Sequence, residues 1–304
     1  MTKGLYARRT VEKAGRLVLT VLVGISCLGA YTDDVARGDL AWARRAEGEE
    51  NGIPLTDPIL TAVRSYESAL AARPANLEAH WKLLRALYFA GYFGAQDKQE
   101  RLALFDRGRD VSESGLSFLK EQVAAGKRLE ELDPDTLASR IEPLGISPSD
   151  VARLYFWSAI NWGAWSRDVG LLSAVYQGVA NRLHQYTLVT IALEPDYFEG
   201  GAFRLLGRLH AELPRVPFVS GWVDRKQSIP LVERAYATAP AEPGNRLLLA
   251  LTLLDHAPER YSEGLYLLRQ VETLTPRPSM HIEDLAVRRE ARKRLAEARA
   301  EETT

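Results

Sequence analysis

Ala62-Val-Arg-Ser-Tyr66-Glu-Ser-Ala69-Leu-Ala-Ala-Arg-Pro74 decides the fold. It has a small residue, a bulky one four on, a small one three further and a proline five beyond that. The same order recurs as Ser228, Val232, Ala235, Pro240 and again as Gly264, Leu268, Val271, Pro276. Steps of four and three are near-neighbour distances on a helix, so the first three members share one face. Small residues on that face admit a second helix at close range and the bulky one fills the remaining gap. The proline, with no N–H to give to the preceding turn, ends the helix. The spacing therefore predicts the second helix of a helix-turn-helix unit, three times over. After Pro74, the residues Leu77, Trp81, Leu84, Leu87 and Tyr88 repeat at helical period and Gly91 supplies a stop, which predicts the first helix of the next unit.

After Pro195, the residues Phe203, Leu206, Gly207 and His210 follow the aromatic, leucine-glycine, aromatic order of a tetratricopeptide first helix, with histidine in the last place. The expected fold class is all-α, with tetratricopeptide-like hairpins stacked as an α-solenoid or bundle. Hairpins are expected over about 58–126 and 151–276, and a final helix over about 281–300. Individual helices are read at 34–46, 58–73, 76–90, 97–107, 111–126, 151–167, 171–193, 197–212, 225–238, 243–255 and 261–274. The clearest start is Ser147-Pro-Ser-Asp150, with serine as cap, proline at the first helical position and an acid in the first turn. No segment alternates with the period of two that a half-buried strand requires.

The chain has 304 residues, 46% hydrophobic and 26% charged, which is a globular composition and excludes disorder for most of it. Net charge is −1, with no field of clustered cations, so a nucleic-acid partner is not expected. The mixed Arg, Lys and Glu of 288–299 read as a solvated helix face. The first 31 residues differ. Lys3, Arg8, Arg9, Lys13 and Arg16 stand against Glu12 alone, and an uncharged stretch then runs from Leu17 to Tyr31. That is the layout of an export signal and is short for a membrane span. Cys27, the single cysteine, ends the apolar stretch, and Gly24-Ile-Ser-Cys27 resembles a bacterial lipobox, whose cysteine is lipidated and becomes the first mature residue. An unmodified cysteine in an ordinary signal, or an uncleaved anchor, is the other reading. Residues 32–304 are expected to form one helical repeat domain at the periplasm or cell envelope, held to the membrane through the N-terminus.

No catalytic, metal or cofactor signature is present. The five histidines are scattered without an HExxH pair, no glycine-rich phosphate loop occurs, and Ser220-Gly221 lacks the GxSxG frame. His80 and His210 occupy aromatic slots of repeat helices and read as core. Asp196 and Glu199 suit a helix N-terminus rather than an acid–base pair. Two features point to binding. The helix at 151–167 carries Trp157, Trp162 and Trp165 with Asn161 among them, a set that lines an apolar ligand cavity or belongs to the core. The connection Val216-Pro-Phe-Val-Ser-Gly-Trp222 is apolar for a loop, which marks Phe218 and Trp222 as candidate partner contacts.

Leu154-Tyr-Phe-Trp-Ser-Ala-Ile-Asn-Trp-Gly-Ala-Trp165 resembles the aromatic helix of the TRAP-transporter T-component (TatT) family. Pro195 to Pro214 is similar to the family's glycine-marked helix with a proline exit, Leu231-Val-Glu-Arg-Ala-Tyr-Ala-Thr-Ala-Pro240 to the helix that follows, and His281 to Ala298 to its C-terminal helix. The resemblance covers roughly residues 55–300. It implies an exported, lipid-anchored, non-enzymatic accessory of a tripartite ATP-independent periplasmic uptake system. The implied partners are a solute-binding subunit and a membrane permease, with a trimeric assembly and a cavity or conduit for an apolar small molecule. A cell-envelope tetratricopeptide scaffold that assembles other proteins without a ligand is the alternative.

Overall fold

A computed structural model of the chain describes residues 33–123 and 129–302. Cys27 and the expected export segment lie outside the described residues. The described chain is all-α: α1 (33–43), α2 (Thr56–Ala72), α3 (Leu77–Phe89), α4 (Lys98–Val123), α5 (Pro134–Ile141), α6 (Pro148–Val169), α7 (Leu171–Tyr176), α8 (Val179–Leu193), α9 (Tyr197–Glu212), α10 (Ser228–Thr238), α11 (Pro243–His256), α12 (Tyr261–Thr273) and α13 (His281–Glu302). Local chemistry sets the starts. Asn76 caps α3 by accepting from the Ala79 amide, Ser147 caps α6 ahead of Pro148, and Glu242 caps α11 ahead of Pro243. None of these described helices is long and apolar enough to cross a membrane.

The recurring spacing falls where close packing requires it. Ala62, Tyr66 and Ala69 on α2, Ser228, Val232 and Ala235 on α10, and Gly264, Leu268 and Val271 on α12 are all buried. A Cβ on Gly207 of α9 would lie 2.7 Å from Val232 of α10, so glycine permits this approach where alanine would not. Each second helix thus sits in the groove of its first helix, giving the hairpins α1–α2, α3–α4, α6–α8, α9–α10 and α11–α12, with α13 as an unpaired last member.

Three boundaries differ from the sequence reading. Helix α4 runs unbroken through 108–110, because Gly108 is a packing glycine: a Cβ there would sit 2.3 Å from Asn161 Oδ1. The helix expected over 171–193 is two, separated at Gly178, whose φ of 63° ends right-handed geometry. Helix α5 is an addition, started by Asp133, which accepts from the Thr136 amide, and by Pro134 behind it.

The hairpins do not form an open stack. Packing runs from α2 through α3, α6, α8, α9, α10, α11 and α12 to α13, and the start of α13 returns to the first hairpin. Arg45 donates to Glu283 at 2.8 Å and to the Ser279 carbonyl, His281 meets Glu49, and Arg289 reaches the Asn51 carbonyl. Ile282, 0% exposed, completes the core of Val35, Ile59, Tyr66 and Leu87. The circuit is closed: the start of α13 covers the core of the first hairpin, where an open repeat array would need a capping unit.

Candidate functional site

The first helices of the hairpins form an inner face, on which guanidinium groups and aromatic rings meet across the helices. On α3 the stripe is Trp81, Arg85 and Tyr88, continued by Tyr92 in the π-helical turn that follows; on α6 it is Arg153 and Trp157, and on α9 it is Tyr197, Phe198, Arg204 and Arg208. These follow the four-and-three spacing of a single helix face, with a break at Phe198. Arg45 lies 4.2 Å from the centre of Trp42, and Arg85 lies 4.0 Å from the same ring and 5.1 Å from Trp81. Arg153 follows, 5.4 Å from Trp81 and 5.2 Å from Tyr197, and Arg204 stands 5.7 Å from Phe198. Each such contact is worth about 0.5–2 kcal/mol, more as water is excluded. The ladder spans four helices that are distant in sequence.

Phe198, Glu199 and Gly200 all have left-handed backbone, with φ of 52°, 53° and 75°. Consecutive left-handed residues are rare because each L-residue costs about 1–2 kcal/mol there. The surroundings hold the turn in place. Buried Asn245 donates to the Glu199 and Ala235 carbonyls, both at 2.8 Å, and accepts from Arg204 at 2.5 Å. A Cβ on Gly200 would lie 3.2 Å from the Ala235 Cα. The turn sets the Phe198 ring 5.5 Å from Trp157 and 5.7 Å from Phe156, and Trp157 donates to the Tyr197 hydroxyl at 2.8 Å. Strain of this kind collects where a side chain must be held in one position for use.

Charge is unevenly compensated across this face. Arg45 pairs with Glu283, Arg153 with Glu194, and Arg277 with Glu242 and Asp284. Among the described residues neither Arg85 nor Arg204 makes an ion pair. Burial pulls both guanidinium groups below their ordinary range, and the Nε of Arg85 has no hydrogen-bond partner. Burial pushes Tyr88 up to about 12 and raises Tyr197, so both phenols are neutral at ordinary pH. Further round the circuit, α9, α11 and α13 enclose a groove of about 210 Å³, lined by Arg208, Leu248, Leu251, Asp255 and Arg294 among others. No cluster of three or more metal-ligating side chains occurs among the described residues.

The candidates read from sequence do not converge on one place. Trp157, 4% exposed, abuts the inner-face aromatics Tyr88 and Phe198. Trp162 and Trp165, 2% and 6% exposed, turn to the other side of α6, where Arg109 covers both and Arg182 covers Trp162. Asn161 is fully buried and ties α6 to α3 by donating to the Leu84 and Trp157 carbonyls. Trp222 is half-buried: it stacks on His184 with centroids 4.0 Å apart and donates to Asn181. Burial, followed by the charge of His210, lowers His184 to about 4, so the stack is with neutral imidazole. Phe218 is the opposite case, 102% exposed at φ 63°. Its loop is braced by hydrogen bonds: Ser220 donates to the Pro214 carbonyl and accepts from the Val216 amide, and the Ser220 amide donates to the Val216 carbonyl. The sequence placed Tyr88 on a packing face and did not single out Arg85, Arg153, Arg204, Tyr197, Phe198 or Asn245. The available signal was arginine at a core-like spacing, as in Leu84-Arg-Ala-Leu87.

No family model matches the chain, and no curated protein matches it. The class that fold and site define is an all-α protein of helix-turn-helix hairpins, closed into a circuit with a cation-and-aromatic inner face.

Proposed function

We propose that the protein is a non-enzymatic, envelope-associated accessory of a tripartite solute-uptake system, which holds an organic solute on its inner face and docks to the solute-binding subunit. The observation that carries this reading is the inner face itself: aromatic walls, neutral phenols and an arginine, Arg85, without an acidic partner among the described residues suit holding a ligand, and the strained turn fixes the position of Phe198. The resemblance of residues 55–300 to the T-component family supplies the transport context, with the permease as second partner, a trimer as the assembly and Cys27 as the point of lipid attachment. Docking falls to Phe218, a full aromatic side chain presented to solvent from a braced loop, the form that interface hot spots take.

The test is binding of the intact protein to the periplasmic solute-binding subunit of a tripartite uptake system, measured for wild type and for Phe218→Ser. A drop of about tenfold or more, with helicity unchanged, is expected. Equal affinity for both proteins, or no affinity for either, overturns the docking assignment. The exposure of Phe218 also favours a second reading, a scaffold that joins envelope proteins and holds no ligand. That reading requires the inner face to be inert, so substitution of Arg85 or Arg204 would change nothing except stability.

A further inference from the structure

We infer that the solute held on the inner face is an organic monoanion with an apolar, ring-bearing body, its charged group seated at Arg85. This rests on the ligand-holding reading above and adds the chemistry of the ligand. A guanidinium group taken out of water is costly unless an anion or a full set of acceptors compensates it. Arg45, Arg153 and Arg277 each have a carboxylate at 3.0 Å or less. Arg85 has none among the described residues. It lies against Trp42 and Trp81, feels the Tyr66 and Tyr197 hydroxyls, and is further disfavoured by the charge of Arg45 nearby. Ring faces offset only part of the cost. An incoming carboxylate or sulfonate supplies what is missing, in the paired geometry guanidinium groups favour.

The body of the ligand has a defined surface beside that charge. Arg153 lies over both Trp81, the ring beside Arg85, and Tyr197, and Tyr197 continues into Phe198 and Trp157, with Tyr88 beyond at 6.0 Å from Trp157. This aromatic run ends at Arg204, whose surroundings argue against a second anionic group there. Arg204 already gives a hydrogen bond to Asn245, and the charges of Glu242 and Glu199 bear on it. A second anionic group would meet two carboxylates rather than a free cation. One negative end, at Arg85, is what the face accommodates.

Calorimetric titration of the full-length protein with three probes of matched body tests this: phenylbutyrate, the neutral phenylbutanol and the dianion phenylsuccinate. The monoanion should bind, and the alcohol and the dianion should each bind at least about tenfold more weakly, the scale of a hydrogen-bonded charge. Arg85→Gln should lose about tenfold for phenylbutyrate, and Arg85→Lys should lose less, because it keeps the charge but not the paired geometry. If Arg85→Gln does not fold, the probe series on wild type and Arg85→Lys decides. Equal binding of acid and alcohol, or unchanged binding of the acid by Arg85→Gln, overturns the anion assignment and leaves the ligand-holding reading standing. Tighter binding of the dianion overturns the monoanion alone. Binding of none of the three defeats both and returns the protein to the scaffold reading.

Discussion

Glu199 occupies a backbone region that suits glycine, with an exposed side chain that makes no ion pair among the described residues. Relief of left-handed strain is worth about 1–2 kcal/mol, and glycine gives back about 0.5–1 kcal/mol through the greater freedom of the unfolded chain. Glu199→Gly should therefore raise the unfolding free energy by about 0.5–1 kcal/mol in a urea titration, whereas Gly200→Ala should lower it by at least about 1 kcal/mol. A loss of stability with Glu199→Gly would mean that the carboxylate, not the bend, is what the position serves. The glycine pair 200–201 is a place of close packing: Gly200 lies against Ala235 and Gly201 against Phe156. The bend at Phe198 and Glu199 was not legible, because neither residue type favours φ above zero and its cause, Asn245, is 46 positions away.

At the scale of the element, the small-bulky-small spacing makes a quantitative claim about α2 and α10. Ala69 and Ala235 are 0% exposed, so Ala69→Leu and Ala235→Leu should each overpack a hairpin and cost about 1–3 kcal/mol in thermal or chemical unfolding. Values within about 0.5 kcal/mol of wild type at both sites would place those faces elsewhere. The second helices were readable because each repeats one local pattern that tertiary packing only reinforces. Helix α4 was misread because a glycine in a helix signals either an end or a close neighbour, and only the position of Asn161 tells which. Helix α5 carried the same cap-then-proline signal as α6, in Asp133-Pro134, but its eight residues are too few to show a period. The cation-and-aromatic ladder was out of reach for a different reason: its rungs come from four helices, and no local pattern records which side chains meet across them.

For the molecule as a whole, closure is the property to test. Arg45 is 5% exposed and holds Glu283 and the Ser279 carbonyl together, so Arg45→Ala leaves a carboxylate without its partner at the seam and should cost about 3 kcal/mol. Hydrogen exchange should then rise together in 33–53 and 277–292, segments at opposite ends of the sequence, with α6 and α8 little affected. Exchange that rises only around residue 45 would show that the seam is not cooperative. Nothing in the chain announces this contact, since the residues that make it stand more than two hundred positions apart. The seam also fixes the size of the molecule. An open array can gain or lose a hairpin and remain sound, but here one hairpin more or fewer would pull Arg45 away from Glu283 and change the circumference around which Arg85 and Arg204 are spaced. Descendants of this sequence are free to vary in length only where the path leaves the circle, at the 129–146 excursion and the 213–224 loop, so the number of hairpins should be inherited as a unit.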